Sequence, residues 1–339
     1  MNDYFCVMPF YGIEYSKNNT TPCCLILKNS NIDKIKKEML SGKRPSECQK
    51  CWNLENDSKI SDRQLKNKAF DFYTNKDIKF IEEDCKNGNY SPQIVKLYTS
   101  NHCNSSCVTC SPLASTKWQQ TRKLPITKEI VSESVLESID WKNVKMLTFV
   151  GGEPLYEKKN LNILENLVEV GNNNCFIGFV TNGSVVLSKN QKEKLSKLKN
   201  LNICFSIDGI ESKFEYLRFP LKWNTLVDNI KEYKKITNNI SVSFTISNLN
   251  IMYYEETTKW FLDNNLNYNH NLVTNPKIFN IDVLPLEIKK DLPLVNDKNN
   301  FNEQLFLNFV KEIKLQDELK NIHIKNYMPE VWDIIKFYY

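Results

Sequence analysis

The stretch Asn101-His-Cys-Asn-Ser-Ser-Cys-Val-Thr-Cys110 decides what fold and chemistry we expect of this chain. It places Cys103, Cys107 and Cys110 in a C-x3-C-x2-C spacing, shortly after the apolar run at residues 94–99. Three thiolates from one short loop suit an iron–sulfur cluster in which three irons are anchored and the fourth has no protein ligand. An iron without a protein ligand is a place where a small molecule can bind and react. Zinc or free thiols are the alternatives for this loop taken alone.

Composition narrows the class of protein. The chain has 339 residues, of which 41% are hydrophobic and 12% aromatic, so it can bury a substantial core. We find no run of 18 apolar residues and no signal-peptide pattern at the start, which predicts a protein without membrane spans that works in the cytoplasm. Eleven cysteines in such a chain favour metal or redox ligands over disulfides.

The charge pattern argues against nucleic acid as a partner. The net charge is only +5, and the basic clusters at residues 34–37 and 189–199 alternate with apolar residues at helical spacing. Solvated helix faces account for both clusters, so nucleic-acid binding is unlikely.

Strand-like apolar runs alternate with amphipathic helical stretches from residue 94 onward. This alternation predicts a parallel sheet with helices outside it, and six units predict a partial (β/α)6 TIM-like barrel of class α/β. We expect a small N-terminal cysteine-rich metal-binding module and connector at 1–90, the barrel at 91–285 and a helical C-terminal tail at 286–339. The predicted strands are 94–99, 145–150, 176–181, 201–207, 241–247 and 268–273, and the predicted helices are 32–41, 127–139, 161–170, 188–198, 223–237 and 254–264.

A second motif, Gly151-Gly152-Glu153-Pro154, follows the predicted strand at 145–150. Glycines at a strand end let the backbone approach a ligand closely because no Cβ intervenes. Alone, this run is an ordinary tight turn. Together with the cysteine loop one strand earlier, it resembles the radical S-adenosylmethionine (SAM) superfamily.

The resemblance implies a mechanism and a cofactor pair. In that family the open iron of a [4Fe–4S] cluster chelates the amino and carboxylate groups of SAM. An electron from the cluster then breaks a carbon–sulfur bond and yields a 5′-deoxyadenosyl radical. Cys103, Cys107 and Cys110 would carry the cluster, and the backbone of Gly151, Gly152, Glu153 and Pro154 would bind the amino group of SAM.

Further strand ends fit the same pattern. Ser206 and Asp208 are two residues apart, so both point to the same side of a strand, and the resemblance assigns them to the ribose hydroxyls of SAM. Asn182 ends the third strand, and Leu272 ends the sixth, where it would line the adenine pocket. Arg218 would clamp the carboxylate of SAM or of the substrate, unless it is a surface arginine.

The N-terminal cysteines resemble the SPASM/twitch modules that hold an auxiliary [4Fe–4S] cluster. The pattern is Cys6, then Cys23-Cys24, then Cys48-x-x-Cys51. Such modules usually follow the barrel, whereas here the cysteines precede it, as in one group of twitch-type proteins. Cys6, Cys23, Cys48 and Cys51 are the expected ligands, Cys24 competes with Cys23, and a structural zinc is the alternative.

These observations predict a radical SAM oxidoreductase or modifying enzyme. It would abstract a hydrogen atom from a small polar molecule or a peptide, with a net oxidation or a crosslink as outcomes. Its electron would come from an external donor such as flavodoxin or ferredoxin. The alternative is a non-catalytic iron–sulfur or zinc protein that binds a partner or nucleic acid, which would leave the Gly151 turn and the Ser206–Asp208 pair unexplained.

Overall fold

Helices and strands alternate along the chain, in a computed structural model that describes residues 3–16, 19–26, 30–74, 76–128, 131–295 and 299–339. The protein is therefore of mixed α/β class, and its eight strands form one mostly parallel sheet in the order β2-β1-β3-β4-β5-β6-β7-β8. The strands are β1 (Gly12–Ser16), β2 (Asn19–Thr21), β3 (Ile94–Tyr98), β4 (Met146–Val150), β5 (Phe176–Thr181), β6 (Asn200–Ser206), β7 (Asn239–Ile246) and β8 (Asn267–Leu272).

Fifteen α-helices are found in the described residues. They are α1 (Met8–Tyr11), α2 (Ile32–Leu40), α3 (Gln49–Asn56), α4 (Asp62–Thr74), α5 (Ile78–Lys86), α6 (Thr116–Thr121), α7 (Glu133–Glu137), α8 (Lys158–Glu169), α9 (Lys189–Ser196), α10 (Glu211–Leu217), α11 (Trp223–Lys234), α12 (Tyr254–Asp263), α13 (Leu286–Lys289), α14 (Glu303–Lys320) and α15 (Pro329–Ile335). No helix in the described part of the chain is long and apolar enough to cross a membrane.

The predicted fold class is confirmed, since β3 to β8 are the six predicted strands in the predicted order. Two strands were not predicted. β1 pairs in parallel with β3, Gly12 opposite Ile94, and β2 pairs antiparallel with β1. The N-terminal segment thus adds two strands to the sheet.

The helix predicted at 127–139 is shorter in the structure. It begins only after Ser132, whose hydroxyl accepts a hydrogen bond from Val135 N and caps α7 at that point. Residues 129 and 130 lie outside the described residues. The domain boundaries at 90 and 285 stay predictions.

The chain divides into two units, which are described separately. The first comprises Met1–Ser100, Glu129–Phe179 and Glu193–Leu201. Its core gathers aromatic side chains of the N-terminal segment and of α3 and α4, including Phe5, Phe10, Trp52 and Phe70, each at most 3% exposed. In the part of the sheet that this unit contains, Leu147 and Phe149 of β4 are fully buried. Burial of these apolar side chains stabilises the packing of the N-terminal segment on the sheet.

The second unit comprises Asn101–Lys128, Val180–Lys192 and Asn202–Tyr339. One face of α14 packs Phe306, Phe309 and Ile313 into a core with Ile324 and Met328, all at most 1% exposed.

A buried aspartate forms hydrogen bonds with three residues of this core. Asp317 of α14 accepts hydrogen bonds from Tyr216 Oη at 2.8 Å, Tyr339 Oη at 2.8 Å and Ile324 N at 2.7 Å. A buried carboxylate with three donors is well satisfied, so it fixes the last turn of α14 in place.

Candidate functional site

The cysteine loop follows β3, and hydrogen bonds hold the backbone in the middle of the loop. Ser106 N donates to Phe219 O at 2.7 Å, and Val108 N donates to Leu217 O at 2.8 Å. Buried amide groups need such partners, and here the segment after α10 supplies them. The loop therefore has a defined backbone between its first and last cysteines.

The three thiols of this loop lie close to one another. Ser105 Oγ is 3.2 Å from Cys103 Sγ and 3.4 Å from Cys107 Sγ, so its hydroxyl bridges the first two sulfurs. Cys110 N donates to Cys107 O at 3.0 Å. Burial, together with the neighbouring Cys107 and Cys103, raises the pKa of Cys110 to about 12. All three thiols are partly exposed and none is in a disulfide, so they are available as ligands.

Asn182, which directly follows β5, belongs to the same cluster of side chains. Its Nδ2 donates to Asn104 Oδ1 at 2.9 Å and lies 4.0 Å from Cys103 Sγ. Its Oδ1 accepts from Ser184 N at 2.9 Å. The amide is thus fixed by the turn that contains it and directed at the cysteine loop.

Arg218 and Asp208 form a buried ion pair beside the second cysteine. Arg218 Nη2 lies 2.8 Å from Asp208 Oδ2, with the side chains 11% and 7% exposed. Arg218 Nη1 lies 4.0 Å from Cys107 Sγ. Burial works against the charged guanidinium, but Asp208 and Cys107 together raise the pKa of Arg218 above its usual value. Arg218 is therefore no surface residue but a buried cation at the thiols.

Asp208 is engaged on both of its oxygens. Besides Arg218, it accepts a hydrogen bond from Thr245 N at 3.0 Å through Oδ1. Arg218 Nε, by contrast, is buried and has no hydrogen-bond partner among the described residues. An unsatisfied buried donor is costly, so this atom is suited to an anionic ligand.

We expect Asp208→Ala to lower the free energy of unfolding by about 3–5 kcal/mol, because it leaves the buried Arg218 guanidinium without its carboxylate. Urea denaturation measures this loss. Asp228→Ala is the matched control, since Asp228 pairs with Lys231 at an exposed site where both side chains are more than two thirds exposed. The control should stay within about 0.5 kcal/mol of the parent protein. Equal effects of the two substitutions would contradict the structural role of the buried pair.

The turn Gly151–Pro154 lies in the other unit, at the end of β4. Gly152 N donates to Ser100 O at 2.8 Å. Gly151 has φ +125°, and a Cβ there would lie 2.4 Å from Ser100 O. Only glycine fits such a position, so this turn is fixed against the residue that follows β3. Glu153 is 1% exposed and accepts from Leu155 N at 3.1 Å.

The other predicted SAM contacts lie at strand ends, as the sequence predicts. Ser206 is the last residue of β6 and Leu272 the last of β8, and both are half-buried. Their roles, like those of the other predicted site residues, stay predictions.

The N-terminal cysteines gather in the first unit. Cys6, Cys48 and Cys51 are each at most 8% exposed. Burial raises the pKa of Cys6, and Cys23 and Cys48 raise it further. Burial likewise raises the pKa of Cys48 to about 12, with contributions from Cys23 and Cys51. Charge effects between thiols act over short distances, so these cysteines lie in one neighbourhood.

Cys24 differs from its neighbour Cys23. It is exposed, and the groups that act on its pKa besides burial are Lys96, Glu14 and Asp62 rather than the buried thiols. Cys23 is half-buried and acts on Cys6 and Cys48. Of the two, Cys23 is the one near the other thiols.

Arg63 lies beside these thiols. Its Nη1 donates to Phe5 O at 2.7 Å, and it forms a buried ion pair with Glu55 at 2.9 Å. The guanidinium also lies 5.2 Å from the ring centre of Trp52. Since Arg63 works against the raised pKa values of Cys6 and Cys48, it favours their thiolate forms.

The described residues contain no group of three or more His, Cys, Asp or Glu side chains spaced to hold a metal ion. Thiolates of an iron–sulfur cluster bind different irons, so they need not converge on one point.

Several residues of the site were missed in the sequence. Ser105 and Asn104 lie inside the loop, where their polar character is visible but not their direction. Trp118 Nε1 donates to Cys107 O at 2.8 Å and is 1% exposed. A tryptophan in a short helix is expected to be a core residue, so no sequence signal indicated this contact.

A cleft of about 560 Å³ lies elsewhere in the first unit. It is lined in part by Gln93 and Lys145, which precede β3 and β4, together with Tyr11 and Asp84. It thus opens at the amino ends of these strands, whereas the turn at Gly151 follows a carboxyl end.

One family model matches part of this chain. Residues 97–261 match the model of the radical SAM superfamily. This span contains the cysteine loop, the turn at Gly151–Pro154, Asn182, Asp208 and Arg218. The match supports a radical SAM domain in this chain. No curated protein matches the sequence.

Several solved structures are similar to this chain over part of its length. One is "Native anSMEcpe with bound AdoMet", with 17% identity and a TM-score of 0.44, covering 68% of this chain and 62% of that chain. Another is Streptococcus suis SuiB bound to precursor peptide SuiA, with 15% identity and a TM-score of 0.44, covering 74% of this chain and 50% of that chain. The chain thus spans about half to three fifths of the length of these two proteins.

Proposed function

We propose that this protein is a radical SAM enzyme that cleaves SAM reductively and abstracts a hydrogen atom from its substrate. The observation that carries the proposal is the cysteine loop, in which three partly exposed thiols lie around Ser105 beside the buried Arg218. The radical SAM match over residues 97–261 supports the same activity.

The donor set fits the cofactors that the superfamily implies, a [4Fe–4S] cluster and SAM. Cys103, Cys107 and Cys110 would hold three irons, and the bonds of their thiolates to iron would offset the cost of deprotonating Cys110, whose pKa is raised. The guanidinium of Arg218 has a buried Nε without a partner among the described residues, which suits an anionic group. When bound, the cluster and SAM supply the carbon–sulfur cleavage and the hydrogen-abstracting radical.

The residues of this chain would bind and orient the cluster and SAM. Ser105 and Asn182 direct hydrogen-bonding groups at the thiols, which would lower the energy of the thiolate form. Gly151–Pro154 would offer backbone groups to the amino group of SAM, and Ser206 and Asp208 would serve the ribose. Because both oxygens of Asp208 are already engaged, we assign it chiefly to holding Arg218 in place. Leu272 would contact the adenine.

We further propose an auxiliary [4Fe–4S] cluster on Cys6, Cys23, Cys48 and Cys51. Cys23 and Cys48 raise the pKa of Cys6, and Cys23 and Cys51 raise that of Cys48, which supports the set. The exposure of Cys24 supports Cys23 as the ligand. The buried Arg63 would offset part of the negative charge of such a cluster. A SPASM/twitch-like role for this segment, in electron transfer or in substrate binding, follows from the same proposal.

For the substrate we propose a small polar molecule or a peptide, with dehydrogenation, epimerisation and crosslinking as the reaction classes. The electron would come from a flavodoxin or ferredoxin, and the protein would work in the cytoplasm.

The experiment is anaerobic reconstitution followed by addition of dithionite and SAM, with iron and sulfide counted and 5′-deoxyadenosine measured by mass spectrometry. About eight irons with 5′-deoxyadenosine would support both clusters, and about four irons with 5′-deoxyadenosine would support the first cluster alone. A loaded, reducible cluster without 5′-deoxyadenosine would favour the alternative of a non-catalytic iron–sulfur protein and overturn the proposal.

A further inference from the structure

Two buried polar residues of α14 reach the cysteine loop from the C-terminal part of the chain. Gln316 and Lys320 are 2% and 7% exposed. Gln316 Nε2 donates to Val108 O at 3.1 Å, and Lys320 Nζ donates to Gln316 Oε1 at 2.9 Å. Gln316 Nε2 also donates to Glu312 Oε1 at 2.9 Å. Since a lysine ammonium only donates and carbonyl and carboxylate oxygens only accept, these three partners fix the orientation of the Gln316 amide. One continuous chain of hydrogen bonds thus joins Lys320 to the loop.

A second connection runs through Trp118. Lys320 Nζ lies 4.7 Å from the ring centre of Trp118, whose Nε1 donates to Cys107 O at 2.8 Å. The ring of Phe219, whose carbonyl accepts from Ser106 N, lies 5.9 Å from the same ammonium. The positive charge of Lys320 therefore lies against the rings of two residues that each hydrogen-bond to the loop.

In the described part of the chain, this cation is not paired directly with a carboxylate. Among the described residues, Lys320 forms no ion pair within 4.0 Å, while the nearby Arg122 is paired with Glu312 at 2.6 Å. Burial lowers the pKa of Lys320 to about 8, against which Cys107, Asp317 and Glu312 act in that order. Burial of a charge is costly without an opposite charge, and an anionic cluster on the loop would supply one.

We propose that Lys320 is a positioning residue that raises the reduction potential of the cluster held by Cys103, Cys107 and Cys110. The inference rests on the function proposed above. One-electron reduction adds a negative charge to the cluster, and a fixed buried cation nearby stabilises the more negative state, because the surrounding dielectric is low. Through Lys320, α14 would act on a cluster whose ligands lie more than 200 residues earlier in the sequence. Gln316 of α14 and Val108 of the loop, which are hydrogen-bonded, are 208 residues apart.

The test is a redox titration of the reconstituted full-length protein, followed by electron paramagnetic resonance without SAM. To isolate one cluster, every variant carries Cys48→Ala and Cys51→Ala. Lys320→Gln keeps a donor for Gln316 Oε1 but removes the charge. We expect its equilibrium constant for one-electron reduction to fall about tenfold, which is about 59 mV. Lys320→Arg should stay near the parent value.

Lys311→Gln is the matched control, since Lys311 lies exposed on the same helix, and it should leave the potential unchanged. A loaded Lys320→Gln protein with the parent potential would overturn the inference. If Lys320→Gln fails to load while Lys320→Arg loads, the need for a positive charge is supported. If neither loads, Lys320 acts through packing and the electrostatic role is overturned. A parent protein that binds no cluster would instead overturn the proposed function.

Discussion

Cys107→Ala is expected to abolish formation of 5′-deoxyadenosine from SAM, whereas the N-terminal cysteines should still bind iron. The Sγ of Cys107 lies 3.4 Å from Ser105 Oγ and 4.0 Å from the Arg218 guanidinium. Without it, only two thiols of the loop remain, which leaves a second iron without a protein ligand and removes the thiol beside Arg218. Cys103→Ala and Cys110→Ala should have the same effect, because each thiol anchors a different iron.

The matched control is Cys175→Ala. Cys175 is 2% exposed and stands alone before β5, where burial raises its pKa to about 12, as expected of an apolar core thiol. This variant should keep both its iron content and its SAM cleavage. Mass spectrometry of the reaction mixture, with iron counted on the same sample, separates loss of chemistry from loss of metal. Retained cleavage in any one of the three loop variants would refute the assignment of the loop.

The parts of the site that follow strands could be predicted from the sequence. Buried parallel strands such as β4 have apolar runs, and the polar or glycine residues that end them stand out, as Gly151 does after Val150. The three cysteines of the loop carry their own spacing signal. Such features depend on residues close together in the chain.

The sequence did not indicate the contacts that depend on distant segments. Lys320 lies in an amphipathic helix rich in charged residues, so the sequence alone does not distinguish it from the exposed Lys311. β1 was missed because Gly12–Ser16 is less apolar than β3 and contains the charged Glu14, which pairs with Lys96 of β3 at 3.4 Å once the strands meet. In both cases the tertiary partner, rather than the local pattern, determines the role.

The choice between Cys23 and Cys24 shows the same limit, because two adjacent cysteines carry the same local signal. Their surroundings separate them, since Cys23 acts on Cys6 and Cys48 while Cys24 is exposed near Lys96. A ligand has to lie among the other ligands. An adjacent residue that points elsewhere cannot replace it without a rearrangement of the backbone.

We therefore expect Cys23→Ala to reduce the iron content from about eight to about four per chain, with 5′-deoxyadenosine still formed, because the loop cluster is held by other residues. Cys24→Ala, its neighbour and matched control, should keep about eight irons. Iron and sulfide analysis of both reconstituted variants, with Cys48→Ala as a reference for loss of the auxiliary site, makes the comparison. If Cys24→Ala loses iron and Cys23→Ala does not, the ligand assignment is reversed. If neither loses iron, and Cys48→Ala does not either, these thiols carry no iron–sulfur cluster.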